Sequence, residues 1–325
     1  MQQHRQRKQK PAILLFGTGQ IGVFAARALV QRGARVYAAD AAPDGAFYAR
    51  FGPGTKAAEP FKLDVTQLEN VEAFVRSHHE SACVVFAAGY TGERAMADPA
   101  PAKVVAQSGV ANVLRAARAS GIRRAVVVSS LAVYGGVAEG GRLAEEGPTQ
   151  PHTVYGQIQL ALEEAARASF GDLDLSILRI AGVFGPKRFG YGSHSSRFVE
   201  QMLYAAALGE PVRIEGCWED EDDLIYVKDV AEAISATALA SRTGSHIVNV
   251  ALGRISTLRE IADAVVSIFP AADIVVTPVR HQQEPLRRPP LDSTRLDALF
   301  GVRPAFPLRA AIRDYAAETG LLDAR

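Results

Sequence analysis

Short apolar runs alternate with longer amphipathic stretches through the first half of the chain. This alternation predicts an α/β fold: a doubly wound parallel sheet with a smaller C-terminal substrate-binding lobe. Two further observations support it. The apolar runs are nearly continuous, as strands buried on both faces require. A glycine-rich turn also stands where the first run meets the first amphipathic stretch. The 325 residues suffice for roughly two domains.

The elements follow in order. Residues 1–11 read as a basic, flexible tail. Arg5, Arg7, Lys8 and Lys10 followed by an apolar run imitate a secretion signal, but that run breaks into glycine after Phe16. Residues 12–16, 35–39, 82–86, 125–129 and 175–178 read as strands. Residues 19–31, 67–79, 102–120 and 155–169 carry apolar side chains at helical spacing. A cofactor domain over 12–185 is therefore expected. From 186 to 325 the texture changes to a substrate lobe, with helices near 198–208, 229–240 and 258–269. A strand at 247–250 separates the last two, and a Pro-rich stretch at 277–290 is too broken for a regular element. Some strands of this half are expected to return to the main sheet.

Composition narrows the function. Lys and Arg number 36 against 35 Asp and Glu, a net charge of +1, which gives no footprint for nucleic acid. Cys83 and Cys217 exclude a disulfide scaffold and lack metal-ligand spacing, so no metal is expected and a reducing cytoplasm is the default. No stretch approaches the ~18 apolar residues of a membrane span. The expected partner is a small-molecule substrate.

Gly17-Thr18-Gly19-Gln20-Ile21-Gly22 fits G-x-G-x-x-G between a strand and a helix. Such glycines serve a tight turn, close approach to a pyrophosphate and close helix–strand packing. Free N–H groups at the helix start then bind phosphate. The second strand ends in Asp40, near the ~20-residue offset of a ribose-binding acid. A carboxylate there accepts both ribose hydroxyls of NAD and repels the 2′-phosphate of NADP. Arg50 is the one nearby cation able to fold back against that choice.

Ser129-Ser130-Leu131-Ala132-Val133-Tyr134-Gly135 and Tyr155-Gly156-Gln157-Ile158-Gln159 resemble segments of the NAD-dependent epimerase/dehydratase family, the extended short-chain dehydrogenases/reductases. Leu63-Asp64-Val65 resembles its adenine-contacting segment, and Phe86-Ala87-Ala88-Gly89 its strand-four cofactor wall. Residues 178–186 resemble its strand entering the substrate lobe, and residues 223–231 its second-lobe signature. The resemblance implies a Rossmann domain binding NAD, with Tyr155 as acid/base, Ser130 hydrogen-bonded to the reacting oxygen, and Ser129 and Gln159 beside the cofactor. Tyr90, Thr91 and Leu131 face the substrate by position. It also implies a homodimer through helices 102–120 and 155–169.

The departures matter as much. Gln159 stands where the family's Y-x-x-x-K has lysine, and Ala106 where its relay asparagine stands; Asn112 lies on another face. Without the lysine's charge, a phenol of pKa ~10 is about one part in a thousand ionised at pH 7. Three readings remain open: a reductase using protonated Tyr155, a substitute such as His152, or an NAD-binding regulator without hydride transfer. Leu131 and Ala132 replace the acidic residues of the dehydratases. Gly182 replaces an asparagine, and Asp222 an arginine that binds the diphosphate of sugar nucleotides. The run Glu219–Asp223 reads as a solvated loop rather than a metal site, repelling a diphosphate. Arg213, Arg280, Arg287 and Arg288 are the available cations. The expectation is an NAD-dependent oxidoreductase or epimerase acting on a small hydroxylated substrate, with a nucleotide sugar as the alternative.

Overall fold

The computed structural model describes residues 10–54, 58–135, 141–171, 173–187, 194–241, 244–279 and 284–323. Most of the basic tail, part of the Gly/Ser-rich segment expected as a loop at 189–196, and Arg280 lie outside the described residues.

The apolar runs become strands β1 (Ala12–Phe16), β2 (Arg35–Asp40), β3 (Phe61–Lys62), β4 (Cys83–Phe86), β5 (Arg124–Ser130) and β6 (Asp174–Ile180). β7 (Gly182–Phe184), β8 (Val212–Glu215) and β9 (Glu221–Tyr226) follow, then β10 (His246–Val250), β11 (Ile255–Thr257) and β12 (Ile274–Thr277). The main sheet has seven parallel strands in the order β10-β6-β5-β4-β1-β2-β3. The order reverses beside β1, where doubly wound sheets open a crevice for ligands.

Both faces of the sheet are covered, which explains why its central strands β1, β4, β5 and β6 are largely apolar. On one face, α1 (Gln20–Gln31) and α9 (Val227–Leu239) bury Phe24, Leu29, Val230 and Ile234. On the other, the helices are α3 (Leu68–Ser77), α6 (Val110–Ala119) and α7 (Val154–Phe170). They bury Phe74, Leu114, Leu162 and Phe170. β7, β9 and β11 form a separate three-stranded sheet, and β8 pairs with β12.

The helix expected over 102–120 is broken into three pieces: 99–104, a π-turn at Val105–Gly109, and α6. Gly109 packs so closely on Val65 that a Cβ would stand 2.7 Å from its side chain. The helix expected near 198–208 runs from His194 to Leu208. It begins four residues earlier than its apolar pattern suggests, because its first turn is built of serine and arginine.

Candidate functional site

One wall of the site is built by close backbone contact. Gly17 has φ +98°, and a Cβ there would lie 2.5 Å from the Ala87–Ala88 peptide at the end of β4. A Cβ on Gly22 would meet the Gly17 carbonyl at 1.9 Å, so only glycine lets α1 start against this turn. Gly19 and Gly89 instead face open space. The loop thus leaves room, at a helix N-terminus, where a pyrophosphate binds. Asp40 Oδ2 accepts the Thr18 N–H at 2.6 Å and Oδ1 the Ala42 N–H at 2.9 Å, fixing the carboxylate beside the loop. Arg50 is turned away, donating to the Thr319 carbonyl at 3.0 Å. These residues fit NAD.

The neighbouring positions take defined places. Gln20 donates to the Gly185 carbonyl at 2.7 Å, linking the loop to the second half of the chain. Ile21 lines the cavity. Asp64 accepts from the Thr66 N–H and hydroxyl at 2.9 and 2.8 Å. Asn112 donates to the Val65 and Thr66 carbonyls at 3.1 and 3.2 Å, so it braces this segment and no relay passes through it.

The catalytic candidates meet in a cavity of about 600 Å³. Thr153 caps α7, its hydroxyl accepting the Gly156 N–H at 3.0 Å. Gly156 packs against the Ala132 carbonyl at a distance closed to any Cβ, drawing Tyr155 towards Ser130. Burial pushes the Tyr155 phenol above its ordinary value, and a hydrogen bond from Ser130 opposes this. Among the described residues, no cation acts on the phenol. Gln159, one turn on, and His152 also line the cavity, as do Tyr90, Thr91 and Leu131. The Thr91 hydroxyl is buried without a hydrogen-bond partner, while Arg94 lies 5.0 Å from the Tyr90 ring centroid.

Beneath the cavity lies a buried polar network. Ser129 donates to Glu163 at 2.7 Å, and Arg179 grips the same carboxylate through two bonds of 2.9 Å. Such a fork is geometrically exacting, and it locks α7 to β5 and β6. The Arg179 guanidinium lies 4.8 Å from the Tyr134 ring centroid, and Tyr134 donates to Asn249 at 2.6 Å. The Ser129 hydroxyl is therefore engaged by Glu163, a partner its sequence position did not suggest.

The acidic run is not a solvated loop. Asp220, Asp222 and Asp223 are 3%, 0% and 0% exposed. β9 and the residue before it use their carboxylates to clasp the strap 286–291. Asp220 accepts the Leu286 N–H at 2.7 Å, and Asp223 accepts the Leu291 N–H at 3.0 Å. Glu221 pairs with Arg287, and Asp222 with Arg288 at 2.7 Å. Burial raises Asp223 to about 7. The charges expected to repel a diphosphate are thus spent on the strap, whose Arg287 and Arg288 line the cavity. Arg213 is exposed on β8, outside the cavity wall. Among the described residues, no group of three or more acidic, His or Cys side chains could hold a metal.

Sequence reasoning missed Arg197. It sits in the first turn of the 194–208 helix and lines the cavity. The signal was faint: one cation in a serine-rich segment that reads as a loop.

The NAD dependent epimerase/dehydratase family model matches residues 13–251. The UDP-glucose 4-epimerase of Thermus thermophilus, in complex with NAD, superposes with a TM-score of 0.77 and 26% identity. It covers 94% of this chain and 98% of its own. A partial-consensus L-threonine 3-dehydrogenase gives 0.80 and 25%, covering 95% and 99%. A UDP-glucose 4-epimerase of Streptomyces lividans is 29% identical over 169 residues, 48% of this chain and 51% of its own. The chain spans 54%, 68%, 51% and 61% of the length of four curated relatives it matches. Among the described residues, no helix is long and apolar enough to cross a membrane. The family match covers well over half of the chain, and the glycine cradle it implies is present. The chain belongs to the NAD dependent epimerase/dehydratase family, and NAD is its cofactor.

Proposed function

We propose that the protein is an enzyme transferring hydride between NAD(H) and a carbinol or carbonyl carbon of a hydroxylated substrate. The observation that carries this reading is the Tyr155 phenol beside Ser130, in a cavity that opens on the glycine cradle. Bound NAD(H) supplies or accepts the hydride. Tyr155 gives a proton to the substrate oxygen, Ser130 orients that oxygen, and Gln159 offers a neutral hydrogen bond beside them. The raised phenol, with no cation acting on it, is already the acid that carbonyl reduction needs at neutral pH. Oxidation through the same tyrosine calls for alkaline pH.

A nucleotide sugar is the substrate class this reading favours over a small hydroxylated compound. The buried clasp removes the electrostatic objection to a diphosphate. The Thermus thermophilus structure, a UDP-glucose 4-epimerase, supports the same class. The likeness to L-threonine 3-dehydrogenase keeps a small substrate as the second reading.

The test is turnover of NAD(H), in both directions and with product analysis, on UDP-sugars and small ketones or hydroxy acids. Tyr155→Phe is expected to lower kcat by about 10²–10⁴-fold while NAD affinity stays unchanged. In Gln159→Lys the alkaline limb of oxidation is expected to fall by about 1–3 pH units. Unchanged kcat in Tyr155→Phe would remove the phenol from the chemistry.

A further inference from the structure

We infer that the edge of the main sheet opposite the cavity docks the protein on an anionic lipid surface, through a cluster of exposed cations around Lys10, Arg35 and Arg123. The contact is peripheral and leaves the cavity open to water.

The topology gathers these cations. β1, β2, β4, β5, β6 and β10 run parallel in near register, so they start at one edge and finish at the other. The cavity lies at the finishing edge, lined by Ala87, Ser130 and Ala181 where β4, β5 and β6 end. At the starting edge Arg35 stands level with Ala12, and Ala82 donates to the Ala12 carbonyl at 2.8 Å. The β4–β5 register puts Arg123 level with Ala82. Arg35 and Arg123 therefore share one row, three strands or about 14 Å apart. Lys10 stands two residues ahead of β1, and the sequence before it adds Arg5, Arg7 and Lys8. The packed helices α3 and α6 end at the same edge and bring Arg76 and Arg118 in their last turns.

Lys10, Arg35, Arg76, Arg118 and Arg123 are all exposed, and no carboxylate of the described residues pairs with them. Two acids near this edge are already engaged, Asp174 by Arg124 and Glu232 by Arg32, which leaves Glu80 exposed. A cation in a last turn offsets the negative end of its helix, which accounts for Arg76 and Arg118. It does not account for Lys10, Arg35 and Arg123, which flank strands, where net dipoles are small. With a net charge of only +1, a surplus here makes the molecule electrically polar and able to orient on a charged surface.

The chemistry favours lipid over nucleic acid. A row along a sheet edge meets many headgroup phosphates in one plane. Single strands call for aromatic stacking platforms, but the exposed large aromatics among the described residues, Phe61 and Tyr204, lie elsewhere. Duplex readers place a helix or ribbon in a groove, whereas this edge presents strand starts and helix ends. Val30 is the one large apolar side chain exposed here among the described residues, so the attraction is electrostatic and sensitive to salt.

The experiment is flotation of the full chain with vesicles of phosphatidylglycerol and phosphatidylcholine in equal parts, and with phosphatidylcholine alone. The triple variant Lys10→Gln, Arg35→Gln, Arg123→Gln is expected to bind the anionic vesicles about 100-fold more weakly, at about five-fold per cation. A control removes the same charge elsewhere, from the exposed Arg213, Arg309 and Arg313, each changed to Gln. It is expected to stay within about two-fold of the wild type, whereas salt at about 0.5 M should abolish most of the binding. Arg35→Lys with Arg123→Lys is expected to bind as the wild type does, because the surface reads charge and not the guanidinium fork. NAD affinity should be the same in every variant, which shows that each is folded and that no catalytic role is being read. A wild type that ignores anionic vesicles, or binds neutral ones as tightly, overturns the inference. So does an equal loss in triple variant and control, and so does a DNA duplex bound as tightly as the anionic vesicles.

Discussion

The two walls of the cavity are held in place by different physics. The cofactor wall is closed by backbone meeting backbone at Gly17 and Gly22, with no charge at either contact. The strap wall is held by four successive carboxylates, Asp220 and the first three residues of β9, three of the four buried, reaching backbone amides and arginines. Steric contact of the first kind does not respond to pH or salt. Buried charge does, and it punishes the loss of one partner more than the loss of both.

The largest effect should come from the steric wall. A side chain at position 22 must displace the Gly17 carbonyl, which leaves 1.9 Å for a Cβ. Gly22→Val is therefore expected to weaken NAD binding at least ~100-fold and to destabilise the fold by about 3 kcal/mol or more. Titration with NAD and thermal unfolding check this. Near wild-type affinity would mean that the turn relaxes and that the contrast between the walls is overdrawn.

The strap should show an asymmetry that the cofactor wall cannot. Asp222 is fully buried, whereas the Arg288 side chain is 28% exposed. Arg288→Met strands an anion in the interior and is expected to cost about 2–4 kcal/mol. Asp222→Asn leaves a cation that can turn to water and should cost less. The double variant should recover most of the loss. Denaturant unfolding of the four proteins forms the cycle, and a coupling energy near zero would reduce the clasp to a coincidence of position.

The difference in physics also decides what could be read from the sequence. Gly17, Gly19, Gly22 and Asp40 act through chain-local geometry, so their spacing alone placed them. The parallel strands were legible because burial on both faces leaves near-continuous apolar runs. The return of β10 to the main sheet was foreseen only in outline. The clasp was not legible, because each of its bonds joins residues 66–68 apart. Five acids in a row read as solvated until their partners are known. The bond from Ser129 to Glu163 was hidden for the same reason, because Glu163 and its partner Arg179 come from two other elements. Arg197 was hidden by a helix whose polar first turn carries no apolar period.

The smallest expected effect is also the one only the charged wall can show. Asp223 sits at about 7 when folded, against an ordinary carboxyl near 4, because burial and the adjacent Asp222 disfavour its charge. Between about pH 4 and 7 the folded chain therefore holds a proton that the unfolded chain has released. Stability falls as pH rises through this window and levels off above it. Asp223→Asn keeps an oxygen for the Leu291 N–H and removes the ionisable proton. The rise of about three pH units caps the gain at about 4 kcal/mol, and rearrangement around the charged form lowers it, so at pH 8 it should be more stable than the wild type by on the order of 2 kcal/mol; at pH 4, where both side chains are neutral, the two should match. Thermal unfolding at both pH values measures this. A gain of equal size at pH 4 and pH 8 would trace the effect to packing and detach it from the charge of the clasp.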